Sequence, residues 1–117
     1  MNKKLDARTS LLKQLLFIED DLESISKQLR QFEWDCEEEL ITIEKNVLDN
    51  LFDGFLKCRY TLKTIKRWAD LVECREDIDY EDKNLNLIKE VLGVLANKDI
   101  ATSVNEETVN SWVDRLK

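Results

Sequence analysis

No proline interrupts the 117 residues of this chain, and glycine occurs only twice, at Gly54 and Gly93. Tight turns draw on those two residues for their special backbone angles, so a turn-dense all-β fold and a collagen-like repeat are poor readings. What remains is helix. Leu11, Leu15, Ile18, Leu22, Ile25, Leu29 and Phe32 are spaced alternately four and three residues apart. That spacing puts them on one helix face and predicts a single first helix over about residues 7–31.

The acidic, aromatic segment from Phe32 to Glu39 interrupts the period and reads as a connection, with Trp34 tucked against the bundle. Thr42 is a reasonable N-cap for a second helix carrying Ile43, Val47, Leu48, Leu51, Phe52, Phe55 and Leu56. Gly54 in its middle is costly for a helix and is expected to admit a neighbouring helix at close range. Thr61 is expected to cap a third helix, with Leu62, Ile65, Trp68, Ala69, Leu71 and Val72 on its apolar face. The acids of Asp77–Asp82 suit the start of a fourth helix, which carries Leu85, Ile88, Val91, Leu92, Leu95 and Ala96. Asn97 suits a left-handed C-terminal position, and Ser103 with Glu106 matches a capping box for a fifth helix bearing Val109, Trp112, Val113 and Leu116. No strand pattern competes. The expectation is an all-α fold, a compact antiparallel bundle of about five helices, with residues 1–117 forming a single domain.

Histidine is absent, which removes Ser-His-Asp and Cys-His catalysis, histidine-based zinc sites and the di-iron Glu-x-x-His pair. The two isolated glycines make no phosphate loop. Cys36, Cys58 and Cys74 form an odd, widely spaced set, read as free thiols in a reducing compartment. Met1-Asn2-Lys3-Lys4 imitates the start of a secretory signal. The apolar run that should follow is broken by Lys13 and Gln14 and ends at Glu19-Asp20-Asp21. These features predict a cytoplasmic chain that is not an enzyme and carries no cofactor and no metal.

Charge is more informative. Against 18 basic residues stand 25 acidic ones, a formal net charge of −7. Phosphate surfaces repel such a chain, so neither nucleic acid nor membrane is the expected partner, whereas a basic protein is steered toward it. The charge is also banded. Glu33 to Glu44 holds six acids and no base, Lys57 to Arg67 five bases and no acid, and Glu73 to Asp82 six acids and one base. The bases Lys57, Arg59, Lys63, Lys66 and Arg67 are read first as ion-pair partners of the acidic bands, and second as phosphate contacts. If the third helix continues by a turn, Glu73, Glu76, Asp77 and Tyr80 share one face and form an acidic docking surface. Capping and local salt bridges are the competing explanation for the same residues. Trp68 and Trp112 lie on apolar stripes and read as core. Trp34, among acids, reads equally as an interface residue.

Trp68-Ala69-Asp70-Leu71-Val72-Glu73-Cys74-Arg75-Glu76-Asp77-Ile78, followed by Leu95-Ala96-Asn97 and a closing amphipathic helix, resembles small helical bacterial immunity proteins of contact-dependent growth inhibition and related polymorphic toxin systems. Trp34-Asp35 is similar as well. Glu33 and Lys98 stand where that group usually has the proline and glycine of its turns. The resemblance implies a protein that binds and neutralises the cognate toxin C-terminal domain, a basic domain and often a nuclease. The expected contacts are Glu73, Glu76, Asp77, Asp79 and Tyr80, with Trp34, Glu37 and Glu38 as a second patch. The alternatives are a helical adaptor or homodimer built on the first helix's apolar seam, and a nucleic-acid-binding regulator using Lys63, Lys66 and Arg67.

Overall fold

The structure, a computed structural model, describes residues 3–31, 41–73, 75, 78–97 and 103–116. In chain order these form α1 (Lys3–Phe17), α2 (Leu22–Leu29), β1 (Ile41–Ile43), α3 (Lys45–Leu56), α4 (Leu62–Glu73), β2 (Ile78–Tyr80), a 3-10 turn (Asp82–Asn84), α5 (Leu85–Ala96) and α6 (Glu106–Leu116). The chain is mostly helical. Its radius of gyration, 14.0 Å, is close to the roughly 13 Å expected of a compact domain of about this length.

The fold departs from the expected five-helix bundle in two ways. The first helix is not continuous over 7–31. It breaks between Phe17 and Leu22, so six α-helices stand among the described residues. Ile18 has a φ of 49°, Glu19 N–H donates to the Gln14 carbonyl (2.9 Å) and Ile18 N–H to the Leu15 carbonyl (3.3 Å). That pair of bonds closes a left-handed C-cap, a place normally taken by glycine. Asp21 then caps α2, its Oδ2 accepting from Ser24 N–H at 3.1 Å.

Nor is the fold helix alone. β1 and β2 pair in parallel, with Ile41 opposite Ile78, Thr42 opposite Asp79 and Ile43 opposite Tyr80. Helices α3 and α4 form the crossover between them, as parallel strands require. Thr42 therefore lies in a strand and caps nothing. The N-terminus of α3 is served instead by Glu81, just past β2. Its Oε2 accepts from Lys45 N–H (3.2 Å) and Asn84 Nδ2 (2.9 Å), while its own N–H donates to the Ile43 carbonyl (3.0 Å). Of the acids of 77–82, Asp79 thus lies in β2 and Glu81 serves α3, while Asp82 opens the 3-10 turn that leads into the next helix at Leu85; Asp77 lies outside the described residues.

Elsewhere the caps vary in how they match. Thr61 caps α4, accepting from Thr64 N–H at 3.2 Å. The capping box of α6 sits two residues later than expected: Asn105 Oδ1 accepts from Thr108 N–H (3.0 Å) and Thr108 Oγ1 from Asn105 N–H (3.4 Å). Asn97 is extended (φ −86°, ψ 112°) rather than left-handed.

One hydrophobic core takes residues from every helix and both strands. Trp68 lies at its centre with no exposed surface, and its Nε1 donates to the Leu16 carbonyl at 3.3 Å. Trp112 stacks on Phe52 with ring centroids 5.7 Å apart. Its Nε1 donates to Glu90 Oε2 (3.0 Å), which also receives Arg115. Both indoles are core, as expected. Leu15, Leu22, Ile25 and Leu29 are buried in this same core, so the apolar seam on which a homodimer or adaptor was to be built is consumed within one chain.

The two glycines separate cleanly. A Cβ on Gly54 would meet the Tyr60 ring at 2.2 Å, so the close neighbour is that ring and not another helix. The ring cannot step aside freely, because its hydroxyl is tied to Asn50 Nδ2 (3.3 Å) and the Phe17 carbonyl (3.4 Å). A Cβ on exposed Gly93 meets nothing within 4 Å. Gly54→Ala is therefore expected to cost about 2 kcal/mol by overpacking. Gly93→Ala is expected to stabilise by about 1 kcal/mol, since it removes backbone freedom from the unfolded chain at no steric cost. Urea unfolding of the two variants checks both signs.

Candidate interaction face

α4 ends at Glu73, and β2 begins five residues on at Ile78. Along β2 the strand period turns Ile78 into the core and leaves Asp79 exposed, with Tyr80 half-buried. Burial pushes the Tyr80 hydroxyl pKa up, and the Glu73 carboxylate adds to that shift. Glu73 and Tyr80 therefore stand within electrostatic reach of each other. They do so because a strand returns beside the helix end, and not because they share a helix face; the single-face arrangement expected for Glu73, Glu76, Asp77 and Tyr80 does not occur, since Tyr80 is in β2. Glu76 and Asp77 lie outside the described residues, as do Trp34, Glu37 and Glu38 and the thiols of Cys36 and Cys74.

The position of Glu73 tells against a role in capping. A helix C-terminus carries partial negative charge and favours cations. The last turn of α4 carries Asp70 and Glu73 and no basic residue. Among the described residues, no ion pair engages Glu73, Asp79 or Asp82, and Glu73 and Asp79 are both exposed. By contrast Glu81, an acid of the same band, is spent on the fold at the N-terminus of α3. Sequence spacing alone could not separate these two kinds of acid.

Most of the basic band is neutralised within the chain. Lys57 Nζ reaches Asp53 at 3.2 Å and Arg59 reaches the same carboxylate at 2.9 Å. Arg67 grips Glu23 with two bonds, Nε to Oε1 (2.6 Å) and a terminal nitrogen to Oε2 (3.3 Å). Among the described residues the partners are single acids on α2 and α3; most of the first acidic band lies outside the described residues. Lys63 and Lys66 line an open groove of about 650 Å³ with Leu62, Arg67, Asp70 and Glu23. Two lysines and one paired arginine beside two carboxylates make a weak phosphate footprint.

The Arg67 hydrogen bonds hold the Glu23 carboxyl below its ordinary value of 4.5. A lowered folded-state pKa means that the contribution is complete above the ordinary carboxylate range and fades as pH falls through and below it. The difference in melting temperature between the wild type and Glu23→Gln is accordingly expected to shrink as the pH is taken from neutral to below the carboxylate range. Because the pair is exposed, the difference is small even at neutral pH.

Among the described residues, no group of three histidine, cysteine or acidic side chains is placed to hold a metal ion, and no helix is long and apolar enough to cross a membrane. Comparison with protein-family models, with curated proteins and with solved structures finds no match for this chain.

Proposed function

We propose that this chain is an immunity protein: a cytoplasmic, non-catalytic helical domain that binds a cognate bacterial toxin domain and neutralises it. The partner is basic, as a nuclease is, and docks on the acidic face at the junction of α4 and β2. Glu73, Asp79 and Tyr80 form the described part of that face, and Glu76 and Asp77 fall between them in sequence. Trp34, Glu37 and Glu38 supply the second patch.

The observation that carries this reading is the unneutralised pair Glu73 and Asp79. Glu73 stands at the helix end where its charge is least favoured, in a chain that pairs Lys57, Arg59, Arg67 and Arg115 internally. Acids kept exposed against local preference suit a basic surface that will cover them. The resemblance of the Trp68–Ile78 block to immunity proteins points the same way. A net charge of −7 also suits fast capture of a basic target, and it disfavours nucleic acid and anionic membranes.

The test is capture of partners by the tagged chain from its native cells, washed at two salt concentrations and identified by mass spectrometry. The expected result is a toxin C-terminal domain in stoichiometric amount, retained better at low salt. Recovery of the chain alone, or of an unrelated housekeeping complex, contradicts the proposal.

A further inference from the structure

The apolar stripe from Leu11 to Phe32 keeps its four-three spacing straight through Ile18 and Leu22, yet the helix breaks there. Residues 18–21 are Ile-Glu-Asp-Asp, with neither glycine nor proline to enforce a break. The corner is made by Ile18 at φ 49°. For a β-branched L-residue, that conformation is disfavoured on the order of tenfold against the right-handed one. The apolar spacing thus asks for one long helix, and a local cap together with non-local contacts bends it.

The bending contacts are identifiable. Asp21 caps α2. Three side chains from α3, α4 and the turn between them donate to the last carbonyls of α1: Trp68 Nε1 to Leu16 (3.3 Å), Asn50 Nδ2 to Phe17 (3.2 Å) and Tyr60 Oη to Phe17 (3.4 Å). In a continuous helix those carbonyls would accept from Asp20 and Asp21 N–H instead. Straightening one molecule alone would lift α1 away from α3, α4 and β1, against which it packs, and expose Leu12, Leu15 and Leu16. The α1 of a second copy, laid in the same place, restores every one of those contacts. Short hinges under strain are where chains exchange identical elements.

We propose that the α1–α2 corner is a hinge, and that its partner is a second copy of this chain: two molecules straighten across residues 18–21 and exchange α1. The exchanged dimer relieves Ile18 in both copies and keeps the core. The bent monomer keeps the Asp21 cap and the three donated bonds. The balance is therefore set by concentration and by the hinge residues, and it does not depend on the proposed toxin partner.

The experiment is sedimentation of the full-length chain over a wide concentration series, with Asp21→Ala and Ile18→Gly beside the wild type and thermal melts to confirm that each folds. Asp21→Ala removes the cap from both of the bent monomers that a dimer replaces, so the dimer dissociation constant is expected to tighten about 30-fold. Ile18→Gly makes the bent corner comfortable and is expected to weaken the dimer. Asn50→Ala, which unties Phe17, is a second opener and takes the place of Asp21→Ala should that variant not fold. A dimer formed by exchange also redistributes subunits slowly on mixing, because α1 must leave a core. A folded opening variant that stays monomeric throughout, a shift in the same direction for opening and closing variants, or rapid redistribution overturns the proposal.

Discussion

Replacing Trp68 with alanine is expected to lower the free energy of unfolding by about 4 kcal/mol, a large part of the roughly 5–15 kcal/mol that such a domain has. Two losses combine. The indole has no exposed surface and sits at the centre of the core, so its removal opens a cavity that rigid neighbours only partly fill. Its N–H also leaves the Leu16 carbonyl at the strained end of α1. Trp68→Phe largely separates the two, since it keeps most of the burial and drops the hydrogen bond, for about 1–2 kcal/mol. Urea midpoints of the two variants read the difference. A cost below about 1 kcal/mol for Trp68→Ala would mean that the core is not organised around this residue.

The second large effect is on binding. Reversing Glu73 and Asp79 together to lysine is expected to weaken capture of the basic partner on the order of a hundredfold, because two attractive charges become repulsive at the contact. The same change is expected to leave the melting temperature unchanged or slightly raised. Glu73 sits at the C-terminal end of α4, where a cation is favoured by about 0.3–1 kcal/mol. Glu73 makes no ion pair among the described residues, and the Asp79 carboxylate accepts only from the adjacent Tyr80 N–H (2.8 Å). A pair of residues whose removal improves the fold and damages binding is serving the partner.

The apolar stripes of the later helices were legible in sequence, the helix ends less so. α4 and α5 run where the spacing of Leu62–Val72 and Leu85–Ala96 puts them, because each buries one regular stripe. Two features escaped for a shared reason: each depends on distant residues. The strands are three residues long, too short for a period to show. They exist because Ile41 and Ile78, far apart in sequence, are brought together by the α3–α4 crossover. The break at Ile18 has no glycine or proline. The Asp21 cap contributes locally, and Asn50, Tyr60 and Trp68 donating to the end of α1 complete it. The candidate face was legible as an acidic band, but its division of labour was not. Glu81 and Asp79 look alike in sequence, and only the fold shows that Glu81 closes the N-terminus of α3 while Asp79 points outward. For the basic band, the partners found among the described residues, Glu23 and Asp53, belong to helices α2 and α3, and only the fold brings Glu23 to Arg67.

The most direct test compares two charge-reversed forms of the full-length chain in the same capture from native cells. One carries Glu73→Lys with Asp79→Lys. The other carries Lys63→Glu with Lys66→Glu, on the groove between α2 and α4. The first form is expected to lose the toxin domain, while the second retains it at least as well as the wild type. Equal retention by both forms, or loss with the lysine reversal alone, would contradict this expectation and move the interface to the other side of α4.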